Sequence, residues 1–412
     1  MHPPLRILEI AEATLGGTGR HVLDLSEGLI ADGHEVHLAY GLRRMTKDFS
    51  ARLNNMPNLH RLPLDLRRGP HPADIGALIA LRHYIKQEPF DIIHGHSSKG
   101  GLLARLAAAG GKTPCLYTPH AFITLDPAMK KLPRFIFSQA EHALGILTDA
   151  VIILCAQEHA HAREIGLPEH KLHRIANGIQ PPTSLSRARI RRELVLPKDG
   201  TVLGFVGRLT PQKAPDRLVP LMRALRQHGV AAKLCVIGDG PGMTALRADI
   251  SQSNLVDNII LSGERDGARA MVAFDLLVVP SRYESFPYIF LEALHQGVPV
   301  ATMEVGSTGT GEVICNGENG LVVPQGDVEG FATAIARALK NPVFYEALSH
   351  NARLSARRFR ADRMVAETAN LYRRLVEQFT GEPVSARAAP EQPKRRLASA
   401  ADPMSAPPLF PR

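Results

Sequence analysis

The sequence predicts an α/β protein made of two parallel-sheet units. Three observations carry that expectation. Short apolar runs of strand length alternate with helical patterns, the alternation starts afresh at Thr201, and a turn-rich stretch separates the two series. Such β/α alternation places helices on both faces of a parallel sheet. In the first half the strand runs are LRILEI, EVHLAY, DIIHGH, PCLYTP and AVIILCA. In the second they are TVLGFVG, AKLCVIG, NIILSG, DLLVVP and PVATME. Helical stretches such as HVLDLSEGLIADG and ADIGALIALRHYIKQ lie between them. Residues 177–186, NGIQPPTSLS, are rich in turn formers and read as the linker. The chain therefore divides into a Rossmann-like domain over 1–180 and a second over 181–358. A helical pattern at Asp362–Phe379, within 359–380, follows. Residues 381–412 are rich in Pro, Ala and Ser with little apolar periodicity, and a disordered tail is expected. The basic KRR at Lys394–Arg396 reads as part of that solvated tail or as a membrane contact.

Composition narrows the function classes. A chain of 412 residues suits two or three domains, and 44% hydrophobic content is ordinary for a globular protein. Cys115, Cys155, Cys235 and Cys315 form no C-x-x-C pair and sit in or beside apolar segments. They read as small buried hydrophobes in a reduced, cytoplasmic setting. The N-terminus carries Glu9 and Glu12 and lacks the apolar core of a signal peptide. No apolar run approaches the roughly 18 residues of a membrane span. The net charge of +9 invites an anionic partner, but 5% aromatic content and the lack of any binding signature argue against nucleic acid. An anionic membrane surface bearing a lipid-linked acceptor fits better. Met129–Leu147, MKKLPRFIFSQAEHALGIL, pairs Lys130, Lys131 and Arg134 with Phe135, Ile136 and Phe137. Both an interfacial helix and an amphipathic core helix with a basic solvent face carry that pattern.

The most informative stretch is Pro280–Val300, PSRYESFPYIFLEALHQGVPV, where Glu284 and Glu292 sit eight residues apart. An apolar strand runs in and ends at Pro280, and a helical pattern runs out. Pro287 suits the first helical turn, where its missing N–H is no loss. Glu284 then lies in the strand-to-helix turn and Glu292 about two turns into the helix. Such turns are where α/β proteins bind ligands, and free amides near Tyr288 and Ile289 favour a phosphate. A second loop, VLGFVGRLTPQK over 202–213, ends a strand at Gly207 and sets Lys213 five residues after Arg208. Two cations at a strand end suit a diphosphate, Arg as a planar fork and Lys as a point charge. Taken alone, the same pair reads as solvated loop charges.

GRLTPQK, the GDGPG turn at Gly238–Gly242 and the Glu284–Glu292 pair occur in that order. Together they resemble the C-terminal half of a retaining glycosyltransferase of family 4. GGTGRHVLDLSEGLIADGHEV (Gly16–Val36) resembles that family's first glycine loop and helix. HGHSSKGGLLARLAA (His94–Ala108) and YTPHAF (Tyr117–Phe122) resemble acceptor-side segments of its bacterial polysaccharide-building members. The similarity covers roughly residues 5–378, and four ordered motifs over that length are specific together where none is alone. The resemblance implies the GT-B architecture: two facing Rossmann-like domains, an interdomain cleft, and a last helix crossing back onto the first domain.

Sugar transfer from a nucleoside diphosphate needs stabilisation of charge developing on the β-phosphate, which suits Arg208 and Lys213. By resemblance, Glu292 binds the ribose hydroxyls, and Glu284 contacts the donor sugar or positions its loop. Gly16 and Gly17 allow a backbone to approach the donor, although a glycine pair alone also makes a plain tight turn. His120 in YTPHAF, by resemblance, faces the donor sugar; a hydrogen-bonded loop histidine is the plainer reading. His94 and His96 share one strand face but show no third metal ligand, so lining or packing is expected of them. The sequence departs from the family at Pro287, where Gly is frequent, and at Gly306–Glu312, a longer turn than usual. There is no D-x-D to hold a divalent metal and no persuasive nucleophile. No metal or other cofactor is therefore expected, and the family's retention implies same-face attack with the leaving phosphate assisting. The expected function is hexose transfer from a UDP- or GDP-sugar to a polysaccharide or lipid-linked oligosaccharide, at the cytoplasmic face of the membrane. An inactive sugar- or membrane-binding subunit and a nucleotide-sugar epimerase of the same fold are the alternatives.

Overall fold

A computed structural model describes residues 3–181 and 185–382. The middle of the expected linker, 182–184, and nearly all of the expected tail, 383–412, lie outside the described residues. The first sheet contains β1 (Arg6–Ala11), β2 (Glu35–Gly41), β3 (His60–Leu64), β4 (Ile92–His96), β5 (Cys115–Thr118), β6 (Ala150–Ile153) and β7 (Leu172–Arg174). Its order is β3-β2-β1-β4-β5-β6-β7, parallel throughout. The second contains β8 (Thr201–Val206), β9 (Ala232–Ile237), β10 (Ile259–Gly263), β11 (Leu276–Val279), β12 (Val300–Met303) and β13 (Gly320–Val323). It runs β10-β9-β8-β11-β12-β13, also parallel. Helices between the strands cover both faces, which is why every residue of β1 and of β11 is buried.

Three strands were not expected: β3, β7 and β13. All are sheet edges. β3 (HRLPL) and β7 (LHR) lack a continuous apolar run, as an edge strand can, whereas β13 is a short apolar run, GLVV, that was not singled out. β3 tolerates Pro63 for the same reason and leaves His60, Arg61 and Pro63 exposed.

The chain passes between the two sheets twice, and the passages pair with each other. The Ile179 N–H donates to the Phe359 oxygen at 3.1 Å, and the Ala361 N–H to the Ile179 oxygen at 3.0 Å. A Cβ on Gly178 would stand 2.1 Å from the Arg360 oxygen, so only glycine permits this approach. The final helix, Ala361–Thr380, then lies on the first unit: Val365 packs on Gly28 of the helix Gly16–Ala31, and the Tyr372 hydroxyl stands 2.7 Å from His94 Nδ1. One apolar cluster accordingly runs from Ile7 and Val22 through Leu291 to Tyr372, while a second, with Leu203 and Phe331, belongs to the second unit alone.

Two expectations change. Cys115, Cys155 and Cys235 are buried free thiols, but Cys315 is only half-buried and outside any strand. Met129–Leu147 supplies the helix Lys131–Gly145, of which only Glu141 and Gly145 are buried. Leu132, Phe135, Ile136, Phe137 and the adjoining Ile146 are 39% to 78% exposed. It is not a core helix with its apolar side inward: apolar side chains and Lys130 and Lys131 face outward together.

Candidate functional site

Each sheet reverses its strand order once, between β1 and β4 in the first and between β8 and β11 in the second. Connections leave such a switch point in opposite directions and open a crevice at the carboxyl ends of the strands. The expected site residues all follow those ends. Gly16 and Gly17 come after β1, His120 after β5, Gly207 to Lys213 after β8, and Glu284 to Glu292 after β11.

Two helices start at the crevice, Gly16–Ala31 from the first unit and Tyr288–Gln296 from the second. Neither has a side-chain cap, so their first-turn N–H groups are left for water or a ligand. They meet directly: a Cβ on Gly17 would touch the Tyr288 ring at 3.4 Å. Pro287 is the residue before the helix, not in its first turn, so it removes no donor that Tyr288 or Ile289 supplies. That start also puts Glu292 fifth in the helix, about one turn in, where two were expected.

The basic loop lies on the same side. Arg208 is exposed, and its guanidinium makes no hydrogen bond or ion pair among the described residues. Lys213 ends a short 3₁₀ turn, Pro211–Lys213, and its Nζ is 2.5 Å from Glu284 Oε1. Arg208 and Lys213 thus differ: one cation is free, the other is held by the buried Glu284. The GDGPG turn braces this loop. The Leu209 N–H donates to the Asp239 oxygen at 2.9 Å, and the Gly242 N–H to the Leu209 oxygen at 2.8 Å. A Cβ on Gly238 would stand 2.1 Å from the Gly207 oxygen, which explains the glycine. In the longer Gly306–Glu312 turn, the Gly306 N–H is already taken by the Glu284 oxygen at 2.8 Å, and Glu312 pairs with Arg174 at 2.6 Å.

Glu292 is paired with Arg20 of the opposite unit, and that guanidinium also stacks 5.0 Å over the Tyr288 ring. Burial raises the Glu292 pKa, and the Arg20 charge works against that rise. Arg20 also reaches Asp24 at 3.5 Å. A ribose hydroxyl at Glu292 would therefore share the carboxylate with Arg20.

His120 and Ala121 have φ of +54° and +89°, a strained pair that its surroundings must hold in place. Glu158, fully buried, does so. It accepts from the Ala121 N–H at 2.6 Å, from Ser285 Oγ at 2.6 Å and from the Leu154 N–H at 2.9 Å. One carboxylate thereby ties the His120 loop to the turn that carries Glu284. His120 Nε2 is 3.2 Å from His96 Nδ1, and its ring lies 4.6 Å from that of His21. Burial, then the neighbouring His21, holds the His120 pKa well below its ordinary value, so the ring is neutral. Burial likewise lowers His21 to about 4. His94 is spent elsewhere, on Tyr372 and on Thr118 Oγ1 at 2.8 Å.

Arg20, His21, Glu158 and Ser285 were not among the expected site residues. Arg20 and His21 stood inside the GGTGRHV segment and were legible as neighbours of the glycine pair. Glu158 sits in AQEHAHARE, where nothing local marks it.

Comparison with known proteins agrees with this arrangement. A model of "Glycosyl transferases group 1" matches residues 186–355, and a "Glycosyl transferase 4-like domain" matches residues 16–178. The chain is 27% identical over 284 residues to the UDP-Gal:alpha-D-GlcNAc-diphosphoundecaprenol alpha-1,3-galactosyltransferase of Escherichia coli, covering 66% of this chain and 72% of that one. It is 25% identical over 375 residues to the N-acetyl-alpha-D-glucosaminyl L-malate synthase of Bacillus anthracis, covering 87% and 94%. The crystal structure of Anabaena HepE with UDP and glucose superposes with a TM-score of 0.74 at 19% identity, over 89% of this chain and 99% of that one, a likeness of fold.

Proposed function

The chain belongs to the family 4 glycosyltransferases of GT-B fold, and on that footing we propose that it is a retaining transferase moving a hexose from a nucleoside diphosphate sugar to a polysaccharide or lipid-linked oligosaccharide. The observation that carries this reading is the meeting of two uncapped helix starts, one from each domain, beside a loop bearing Arg208 and Lys213. Oriented amides and nearby cations are what a departing diphosphate requires. UDP is the favoured nucleotide and GDP the second: the Escherichia coli relative is named for UDP-Gal, and HepE holds UDP.

In this reading the bond between the anomeric carbon and the β-phosphate oxygen breaks, and its electron pair stays on the phosphate. Arg208, Lys213 and the amides near Tyr288 and Ile289 stabilise that charge. Glu284 releases Lys213 to the phosphate and turns to a sugar hydroxyl. Neutral His120 lines the sugar, on a loop held by Glu158. The acceptor oxygen attacks on the leaving-group face and its proton passes to the departing phosphate. Proton NMR of the first-formed product tests retention directly: an α-linked donor should give an α-linked product, and a β product overturns it.

Ligand binding to the folded state raises apparent stability, by about 2.7 kcal/mol at a concentration of 100 Kd. UDP is accordingly expected to raise the melting temperature more than GDP or ADP. A protein unmoved by all three has no such nucleotide site.

Catalysis is expected to need no divalent metal, because cations and helix amides occupy the role a metal would fill. Activity should survive excess EDTA. Complete loss that Mn²⁺ or Mg²⁺ restores is incompatible with the proposed clamp.

The helix Lys131–Gly145 offers a surface for a lipid-borne acceptor, with Phe135, Ile136 and Phe137 exposed near Lys130 and Lys131. No helix among the described residues is long and apolar enough to cross a membrane. Peripheral binding at the cytoplasmic face is the proposed localisation. Sedimentation with anionic vesicles should fall as salt rises, since exposed charges are screened over about 8 Å at physiological ionic strength. Equal binding to neutral vesicles removes the electrostatic part, and deleting residues 383–412 separates the tail's share from the helix's.

A further inference from the structure

We propose that His21, His96 and His120 form a site for a divalent transition metal of the Zn²⁺ class, and that an ion held there excludes the donor sugar. Each offers one ring nitrogen, and these lie within 4.8 Å of one another. His96 Nδ1 and His120 Nε2 are already 3.2 Å apart. Two nitrogens bound at about 2.0–2.1 Å to a tetrahedral ion stand roughly 3.3 Å from each other. Along the sequence His96 has only His94 beside it; the fold brings two further histidines, from the helix after β1 and from the loop after β5.

One of the three rings is oriented from behind, as metal-bound imidazoles are, and a second has a buried carboxylate nearby. Asn177 Nδ2 donates to the Phe286 oxygen at 3.2 Å, which turns Asn177 Oδ1 toward His21 Nδ1 at 2.9 Å. The Tyr288 hydroxyl also faces that nitrogen, at 3.3 Å, and the proposed site has the proton on Nδ1 and the lone pair on Nε2. His96 is fully buried, and its Nε2 has no partner. Glu9, also fully buried, has an unpartnered Oε1, and Glu9 and His96 belong to a second group whose ligand atoms lie within 4.8 Å. With Nδ1 on the ion, the His96 proton sits on Nε2; it makes no hydrogen bond to Glu9 in the structure, and in the proposed site the vacant Glu9 oxygen closes onto it when the ion binds. His120 is the one ligand that is not fully buried, so the fourth coordination position opens toward the cleft.

Binding needs only the histidines. Its inhibitory consequence rests on the transferase reading, in which His120 lines the sugar. The test therefore reads binding first, without substrate. Co²⁺ titrated into the EDTA-stripped, dialysed full-length chain should give the intense visible absorption of a tetrahedral nitrogen site, saturating at one ion per chain and displaced by Zn²⁺. His96→Gln and His21→Gln should each abolish that band with far-ultraviolet circular dichroism unchanged. Glu9→Gln removes no ligand and should weaken Co²⁺ binding by about 10- to 100-fold. Wild-type protein that gives only weak octahedral absorption, or a band that survives in both histidine variants, overturns the site. If the band forms normally but UDP-sugar and Co²⁺ bind independently, the exclusion is wrong and the site stands.

Discussion

Replacing Arg208 with alanine is expected to lower kcat/KM for the nucleotide-sugar donor by about 10²- to 10³-fold while leaving stability within about 0.5 kcal/mol of the parent. The two halves of that expectation have separate causes. Arg208 is exposed and unpartnered among the described residues, so its removal costs the fold almost nothing. Its value lies in charge that exists only as the diphosphate departs, and a donor aimed at such charge contributes about 2.7–4 kcal/mol. Lys213→Ala should lose comparable rate but also destabilise, because it strands the buried Glu284 carboxylate that Lys213 now holds at 2.5 Å. Steady-state kinetics beside thermal melts give both quantities for both variants. Parental turnover in a folded Arg208→Ala protein removes that residue from the mechanism.

Glu292 and Glu284 are expected to fail in different assays. Glu292→Ala should weaken free UDP, because each ribose hydroxyl left buried without a partner costs roughly 1–3 kcal/mol, or about 5- to 150-fold. Arg20 keeps Asp24 in that variant, so the cation is not stranded as well. Glu284→Ala should spare free UDP, since its partner is the sugar end and its loss frees Lys213 for phosphate. Turnover with the full donor should nonetheless fall. Calorimetry with UDP and kinetics with the UDP-sugar separate the two. Loss of UDP affinity in Glu284→Ala but not in Glu292→Ala would mean the two roles are reversed.

The contrast between those acids shows what the sequence could disclose. Their spacing between an apolar strand and an amphipathic helix was legible because both patterns are local. So were the ten strands with continuous apolar runs. The edge strands β3 and β7 were not, since an edge need not be buried on both faces and so need not carry such a run; β13, only four residues long, carries one, GLVV, but was not picked out. The partners were hidden for a different reason. Arg20 and Glu292 are 272 residues apart, and Glu158 and Ser285 127, so each pair exists only once the two domains face each other. His96 looked short of ligands because its companions come from other elements. The helix Lys131–Gly145 was ambiguous because amphipathic periodicity fixes which side is apolar, not what lies against it.

The cleft is proposed to transfer sugar from a nucleoside diphosphate to another molecule. Labelled UDP-hexoses and UDP-N-acetylhexosamines, with GDP-sugars beside them, should be incubated with and without a polyprenyl diphosphate-linked sugar, following free nucleotide and label together. Expected is acceptor-dependent release of nucleoside diphosphate from at least one donor, with the label recovered on the lipid-linked acceptor in equal amount and lost when Arg208 is alanine. Label returned on an intact but epimerised nucleotide sugar, or tight UDP binding with no release from any donor, would contradict it.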